Sequence, residues 1–135
     1  MAGNLVEHNT IEGTVHVRPD DGGGYNASGI ALYADFRGGA AGAAEISGNR
    51  VLHNTVRLRS DAPDVVDVAA FELTDTRDDA TLDPVILDNA IGYNDFRGTV
   101  LQIALTPESL ADCNTISRNL GDNRGHGAHP SLFGP

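Results

Sequence analysis

Asn49-Arg50-Val51-Leu52-His53-Asn54-Thr55-Val56 is a phrase that this chain writes more than once. It appears earlier as Asn4-Leu5-Val6-Glu7-His8-Asn9-Thr10-Ile11 and later as Asn89-Ala90-Ile91-Gly92-Tyr93-Asn94-Asp95-Phe96. A shorter copy begins Asn114-Thr115-Ile116-Ser117-Arg118-Asn119. The shared pattern is Asn, any residue, an aliphatic, two residues, Asn, any residue, an apolar residue. Such repetition points to units that cannot bury their apolar side alone and must stack on a neighbour. It speaks to architecture far more than to activity.

After Gly, Asn is among the residues that most readily accept a left-handed backbone at a bend, so each Asn is expected to mark one. Its carboxamide carries both donors and an acceptor. Copies placed one above another can therefore bond along the stack as an amide ladder. Val6, Val51, Ile91 and Ile116 lie two residues after the first Asn, and Ile11, Val56 and Phe96 two residues after the second. Strand alternation puts each set on one face. Each copy thus reads as strand, bend, strand, with apolar columns entering a shared core.

A second element separates the copies: Gly29-Ile30-Ala31-Leu32-Tyr33, Ala70-Phe71-Glu72-Leu73 and Gln102-Ile103-Ala104-Leu105. With the first it resembles the repeat of the pectate-lyase-like right-handed parallel β-helices, in which Asn-x-Ile-x-x-Asn-x-Ile and Gly-Ile-x-Leu recur about once per coil. The resemblance covers residues 4–120 and implies a fold rather than a chemistry. The fold expected is all-β: a short, single-stranded, right-handed parallel β-helix of about four coils with long turn insertions. It forms a single domain over residues 1–135, with coil repeats across 4–120 and a C-terminal tail over 121–135.

The first Asn residues of the copies, Asn4, Asn49, Asn89 and Asn114, are 45, 40 and 25 residues apart. Asn26-Ala27-Ser28-Gly29 could open an additional coil, but it lacks the second Asn and its apolar partner. The spare chain is Gly-, Asp- and Pro-rich at 18–24, 38–44, 60–64 and 74–80, the composition of loops. Four coils with excursions are therefore expected. Both ends of such a column are sheet edges, which invite association. The first rim is expected to be covered by a partner chain or by the 18–24 loop, and the last by Leu132 and Phe133. Self-association as a dimer or trimer follows from this.

The formal net charge is −10, all nine cations are Arg, and Asp outnumbers Glu by 14 to 5. Nucleic acid is excluded as a partner, because its binding rests on neutralising phosphates. No apolar run approaches the length of a membrane span. The first thirty residues show neither a basic start nor a long apolar run, so no signal peptide is expected and cytoplasm is the default compartment. The single thiol, Cys113, reads as an inert buried residue.

Aligning the repeats produces one column just before the second Asn: His8, His53, Tyr93 and Arg118. With the flanking aliphatics inside, this column is expected to face outward. Imidazole, imidazole, phenol and guanidinium in a row form a candidate ligand-binding surface for a sugar, a carboxylate or a phosphate. His8 and His53 alone are too few to hold a structural metal. No cofactor is expected. The densest acidic stretch, Asp75, Asp78, Asp79 and Asp83, supplies the candidate oxygen ligands for calcium. His126 and His129 read as tail residues. The lyases and hydrolases that the resemblance brings in use carboxylates and basic residues on adjacent strands. Here the matched strands offer Glu72 and Gln102 but no paired Asp column, so no catalytic residue is carried over. Three functions are compatible: a non-catalytic binding module, an assembly unit joining through open rims, and a carbohydrate lyase or hydrolase.

Overall fold

The computed structural model describes residues 1–16, 25–36, 45–63 and 66–126. Segments 18–24 and 38–44, Asp64, His129, Leu132 and Phe133 lie outside the described residues, so the two rim covers assigned to 18–24 and to Leu132 and Phe133 do so as well. The chain is mostly β. The first repeat carries β1 (Leu5–Glu7), β2 (Thr10–Val15) and β3 (Tyr25–Ala34). The second carries β4 (Ile46–Ser47), β5 (Arg50–Leu52), β6 (Thr55–Ser60) and β7 (Val66–Asp75). The third carries β8 (Ile86–Leu87), β9 (Ala90–Gly92) and β10 (Leu101–Thr106). A four-residue helix, α1 (Leu110–Cys113), then precedes β11 (Thr115–Ser117) and β12 (Arg124–His126).

All strand pairs are parallel, and each joins one repeat to the next. One sheet runs β1-β5-β9-β11, with Val6, Val51, Ile91 and Ile116 in register. Another runs β3-β7-β10-β12, with Ile30, Phe71 and Ile103 in register and then Leu32, Leu73 and Leu105. Asn4 bonds directly to Asn49, so no additional coil intervenes between them. The segment at Asn26 belongs instead to β3, opposite Asp67.

The strands do not form one uniform solenoid. Besides the two four-stranded sheets, β2 pairs with β6 and β4 with β8 as two-stranded sheets, the latter extended by a single parallel bridge from Ser47 to Ala2. The cause is local. After Asn94 the third repeat keeps a single bridge residue, Asp95, between Thr55 and Leu120, and then turns at once through Phe96 to Thr99. The buried Thr99 hydroxyl stands in for the missing strand, accepting from the Leu58 N–H at 2.9 Å and donating to the Val56 carbonyl at 3.3 Å. In the fourth repeat α1 takes the place of a strand below β8, where the Asp88 N–H reaches the Cys113 carbonyl at 2.7 Å. Part of the expected tail is also strand: β12 continues the second sheet, locked by reciprocal bonds between Gln102 and Asn123 at 2.7 and 2.8 Å.

The core lies between the sheets. Val51, Val56, Phe71, Ile86, Ile91, Phe96 and Ile103 are fully buried, whereas Val6, Ile11 and Ile116 in the outer repeats are only partly so. A side chain of this size contributes about 1.5–3 kcal/mol when fully buried, so the middle repeats carry most of the stability. Gly29 fits because a Cβ there would meet Val56 Cγ1 at 2.5 Å and the Ala70 carbonyl at 2.8 Å.

The bridge residue Asp95 is gripped by the Arg97 guanidinium through two bonds of 2.9 Å, and this holds its carboxyl at about 2. Its folded pKa lies below the unfolded one. The stabilisation is therefore complete above the ordinary carboxylate range and is lost as pH falls toward 2. In urea unfolding, Asp95→Asn is expected to be less stable than the parent at pH 7, with the gap closing between pH 4 and pH 2.

Candidate functional site

The bends are not made as expected. Among the described residues no Asn has a positive φ; the left-handed residue is the one before it. Gly3, Gly48 and Asp88 take this conformation before the first Asn of their repeats, with φ of 68°, 65° and 56°. His8, His53, Tyr93 and Arg118 take it before the second, with φ of 56°, 57°, 57° and 59°. The bend ahead of these seven Asn residues leaves the carboxamide free to turn into the stack, while Asn114 follows helix α1 instead. Of non-glycine residues, Asn, Asp and His are the most often found in this region, which suits His at two of the four positions.

Two amide ladders result. In the first, Asn4, Asn49 and Asn89 each donate from Nδ2 to the Oδ1 of the next repeat's Asn at 2.9 Å, ending on Asn114. In the second, Asn9, Asn54 and Asn94 do the same at 3.0, 3.0 and 2.9 Å, ending on Asn119. The backbone N–H of each donor Asn bonds to the same oxygen, at 2.8–3.1 Å. Remaining amide hydrogens go to carbonyls such as Val6 and Val51. These ladders fix the vertical register to one residue.

That register builds the column anticipated from sequence. The His8 and His53 rings stack with centroids 5.1 Å apart and planes 3° apart. His53 and Tyr93 stack at 5.2 Å and 19°, and the Arg118 guanidinium lies 5.8 Å from the Tyr93 ring centre. All four are exposed. The steps slightly exceed the spacing of neighbouring strands, about 4.8 Å. Because ring faces are occupied within the column, a ligand meets mainly ring edges: imidazole nitrogens, a phenol oxygen and guanidinium N–H groups. Glu7, which sequence reading passed over, joins the stripe with its carboxylate 3.8 Å from His8 Nε2; its place one residue before His8 was the available signal.

The acidic stretch does not assemble into a cage. Asp75 is buried under Arg77, which bonds it from Nε at 3.0 Å and from a terminal nitrogen at 2.6 Å. Arg77 also reaches the Asp83 backbone carbonyl and lies over the Phe36 ring at 4.4 Å. Asp79 accepts from the Thr81 hydroxyl and N–H, which lower its pKa. Asp78 faces His126 at 3.2 Å, so this histidine sits on strand β12 opposite an acid. Among the described residues no three His, Cys, Asp or Glu converge on one point. Cys113 is partly buried rather than fully enclosed.

Glu72 and Gln102 part company. Gln102 is tied to Asn123. Glu72 is buried and accepts from the hydroxyls of Ser28 and Thr74, while its cross-strand neighbours are Ala31 and Ala104. The strands place no second carboxylate opposite it. Among the described residues no helix is long and apolar enough to cross a membrane. Comparison with protein-family models, curated proteins and solved structures found no match to this chain.

Proposed function

We propose that this chain is a non-catalytic binding module on a short right-handed parallel β-helix of the pectate-lyase-like kind, with the stripe of His8, His53, Tyr93 and Arg118 as its ligand surface. The parallel register through four repeats and the two amide ladders support the fold reading. The single observation that carries the function is the stacked, exposed column itself. Donors repeated at 5.1, 5.2 and 5.8 Å suit a linear polar chain whose oxygens recur along its length. A saccharide bearing carboxylates is the favoured class, since Arg118 and the ring nitrogens supply donors in a protein that is otherwise strongly acidic. Neither a cofactor nor a metal has a part in this reading, and neither does nucleic acid or a membrane.

Titration calorimetry with oligouronates and with neutral oligosaccharides tests this, using His53→Gly as the variant. Glycine takes the left-handed bend without strain, so stability should change by less than about 1 kcal/mol. Affinity for the acidic oligomer should fall roughly tenfold, the effect of losing a well-placed polar contact. No binding of either class, or binding unmoved by His53→Gly, would remove the stripe from the account. A second reading, assembly through the rims, has its own support in Asn4, Asn9 and Asn119, whose outward amide groups have no partner among the described residues.

A further inference from the structure

The amide ladders have a direction. Every carboxamide-to-carboxamide bond runs from the Nδ2 of one repeat to the Oδ1 of the repeat that follows it in sequence, never the reverse. The two rims therefore differ in chemistry. At the first rim the Oδ1 atoms of Asn4 and Asn9 lack donors among the described residues, whereas every corresponding oxygen below accepts two N–H groups. At the last rim Asn119 uses one amide hydrogen on the Ile91 carbonyl at 3.1 Å, and its other amide hydrogen and backbone N–H have no acceptor among the described residues. Asn114 differs, since both its amide hydrogens are taken by the Ile86 and Leu110 carbonyls at 3.0 and 2.8 Å. Helix α1 thus closes the first ladder and leaves the second open.

We propose that a second copy of this chain occupies the first rim, stacking head to tail so that its Asn119 donates to Asn9 and its β11 adds in parallel to β1. Joining two first rims would set oxygen against oxygen, so polarity selects the heterologous contact. The same register brings Ile116 of one copy over Val6 of the next, and each is only partly buried alone. It also brings Arg118 over His8, beside the Glu7 carboxylate that lies 3.8 Å from that imidazole. The outer edge of β1, which no described strand pairs and where Leu5 is 51% exposed, is covered in the same step. A heterologous contact that does not close on itself produces open chains rather than a fixed dimer or trimer. Stacking also prolongs the stripe from one copy into the next.

Sedimentation velocity of the ligand-free chain over a range of concentrations tests this independently of any ligand. The average mass is expected to rise with concentration without a plateau at two or three copies. Glu7→Arg and Arg118→Glu should each move the midpoint of assembly roughly tenfold higher, because each sets like charges together at the joint. The double variant restores opposite charges and should recover the parent's behaviour. Both side chains are exposed, and circular dichroism checks that the fold is kept. A parent that stays monomeric throughout, or a closed dimer indifferent to Arg118→Glu, overturns the proposal.

Discussion

Replacing Asn94 by alanine is expected to destabilise the fold by about 4 kcal/mol, a large fraction of the stability of a single domain. Asn94 is fully buried. Its Oδ1 accepts from the Asn54 N–H at 2.8 Å and from Asn54 Nδ2 at 3.0 Å. Its Nδ2 donates to Asn119 Oδ1 and to the Val51 carbonyl, both at 2.9 Å. Truncation takes the acceptor from the Asn54 N–H and a donor each from the Val51 carbonyl and Asn119 Oδ1, in a place where water has little access, while Asn54 Nδ2 keeps the Val6 and Leu52 carbonyls. Each such orphan costs about 1–3 kcal/mol, well above the net value of an ordinary hydrogen bond. Asn4→Ala is the matched control. Asn4 is exposed at the rim, water can replace what it loses, and less than about 1 kcal/mol is expected. Urea unfolding of the two variants beside the parent measures the contrast. Equal losses would mean that the ladder's interior is no more protected than its end.

Phe71→Ala is expected to cost a similar amount, about 4 kcal/mol, through a different mechanism. Phe71 is fully buried on β7, in register with Ile30 and Ile103. Its ring lies 6.3 Å from that of Phe96, with planes 12° apart. Phe96 follows the second Asn of the third repeat, so this contact joins the strand sheet to the ladder side of the core. Removing the ring opens a cavity that rigid, hydrogen-bonded strands cannot collapse to fill. A double-mutant cycle with Phe96→Ala should give a coupling of about 1 kcal/mol. Val100→Ala is the control: Val100 is 91% exposed, and a change within about 0.5 kcal/mol is expected. Thermal or urea unfolding that ranks Phe71→Ala with Val100→Ala would place the core elsewhere.

Much of the vertical register was legible because it depends on side-chain identity. An amide ladder needs Asn at every level, and an inner column needs an aliphatic or aromatic residue at every level, so both leave a repeated mark. Val51 pairs with Ile91, and the outer column of His8, His53, Tyr93 and Arg118 stacks as its position implied. What backbone geometry decides was not legible. Nothing in Asn94-Asp95-Phe96-Arg97 announces that the chain turns directly and lets the Thr99 hydroxyl replace a strand. The left-handed residue precedes every ladder Asn except Asn114, which follows helix α1, because the Asn side chain is committed to the ladder, and Gly48 and Asp88 give only a faint mark of it. Strand β12 was hidden because Arg124-Gly125-His126 has no apolar alternation; its place comes from pairing with β10 and from the Gln102–Asn123 bonds. For the site, the column was readable but its chemistry was not. That ring faces are spent on one another, leaving edges for a ligand, follows only from the 3° and 19° between planes.

The central claim, two unbroken rows of carboxamides through four repeats, is tested most directly by hydrogen exchange of Asn side chains followed by nuclear magnetic resonance. The Nδ2 hydrogens of Asn49, Asn54, Asn89 and Asn94 are expected to exchange more than about a hundredfold slower than those of a free carboxamide, since they are released only when the stack opens. Exchange of all four at the free rate would contradict it, and with it the register from which the stripe, the rims and the stacking of copies were derived.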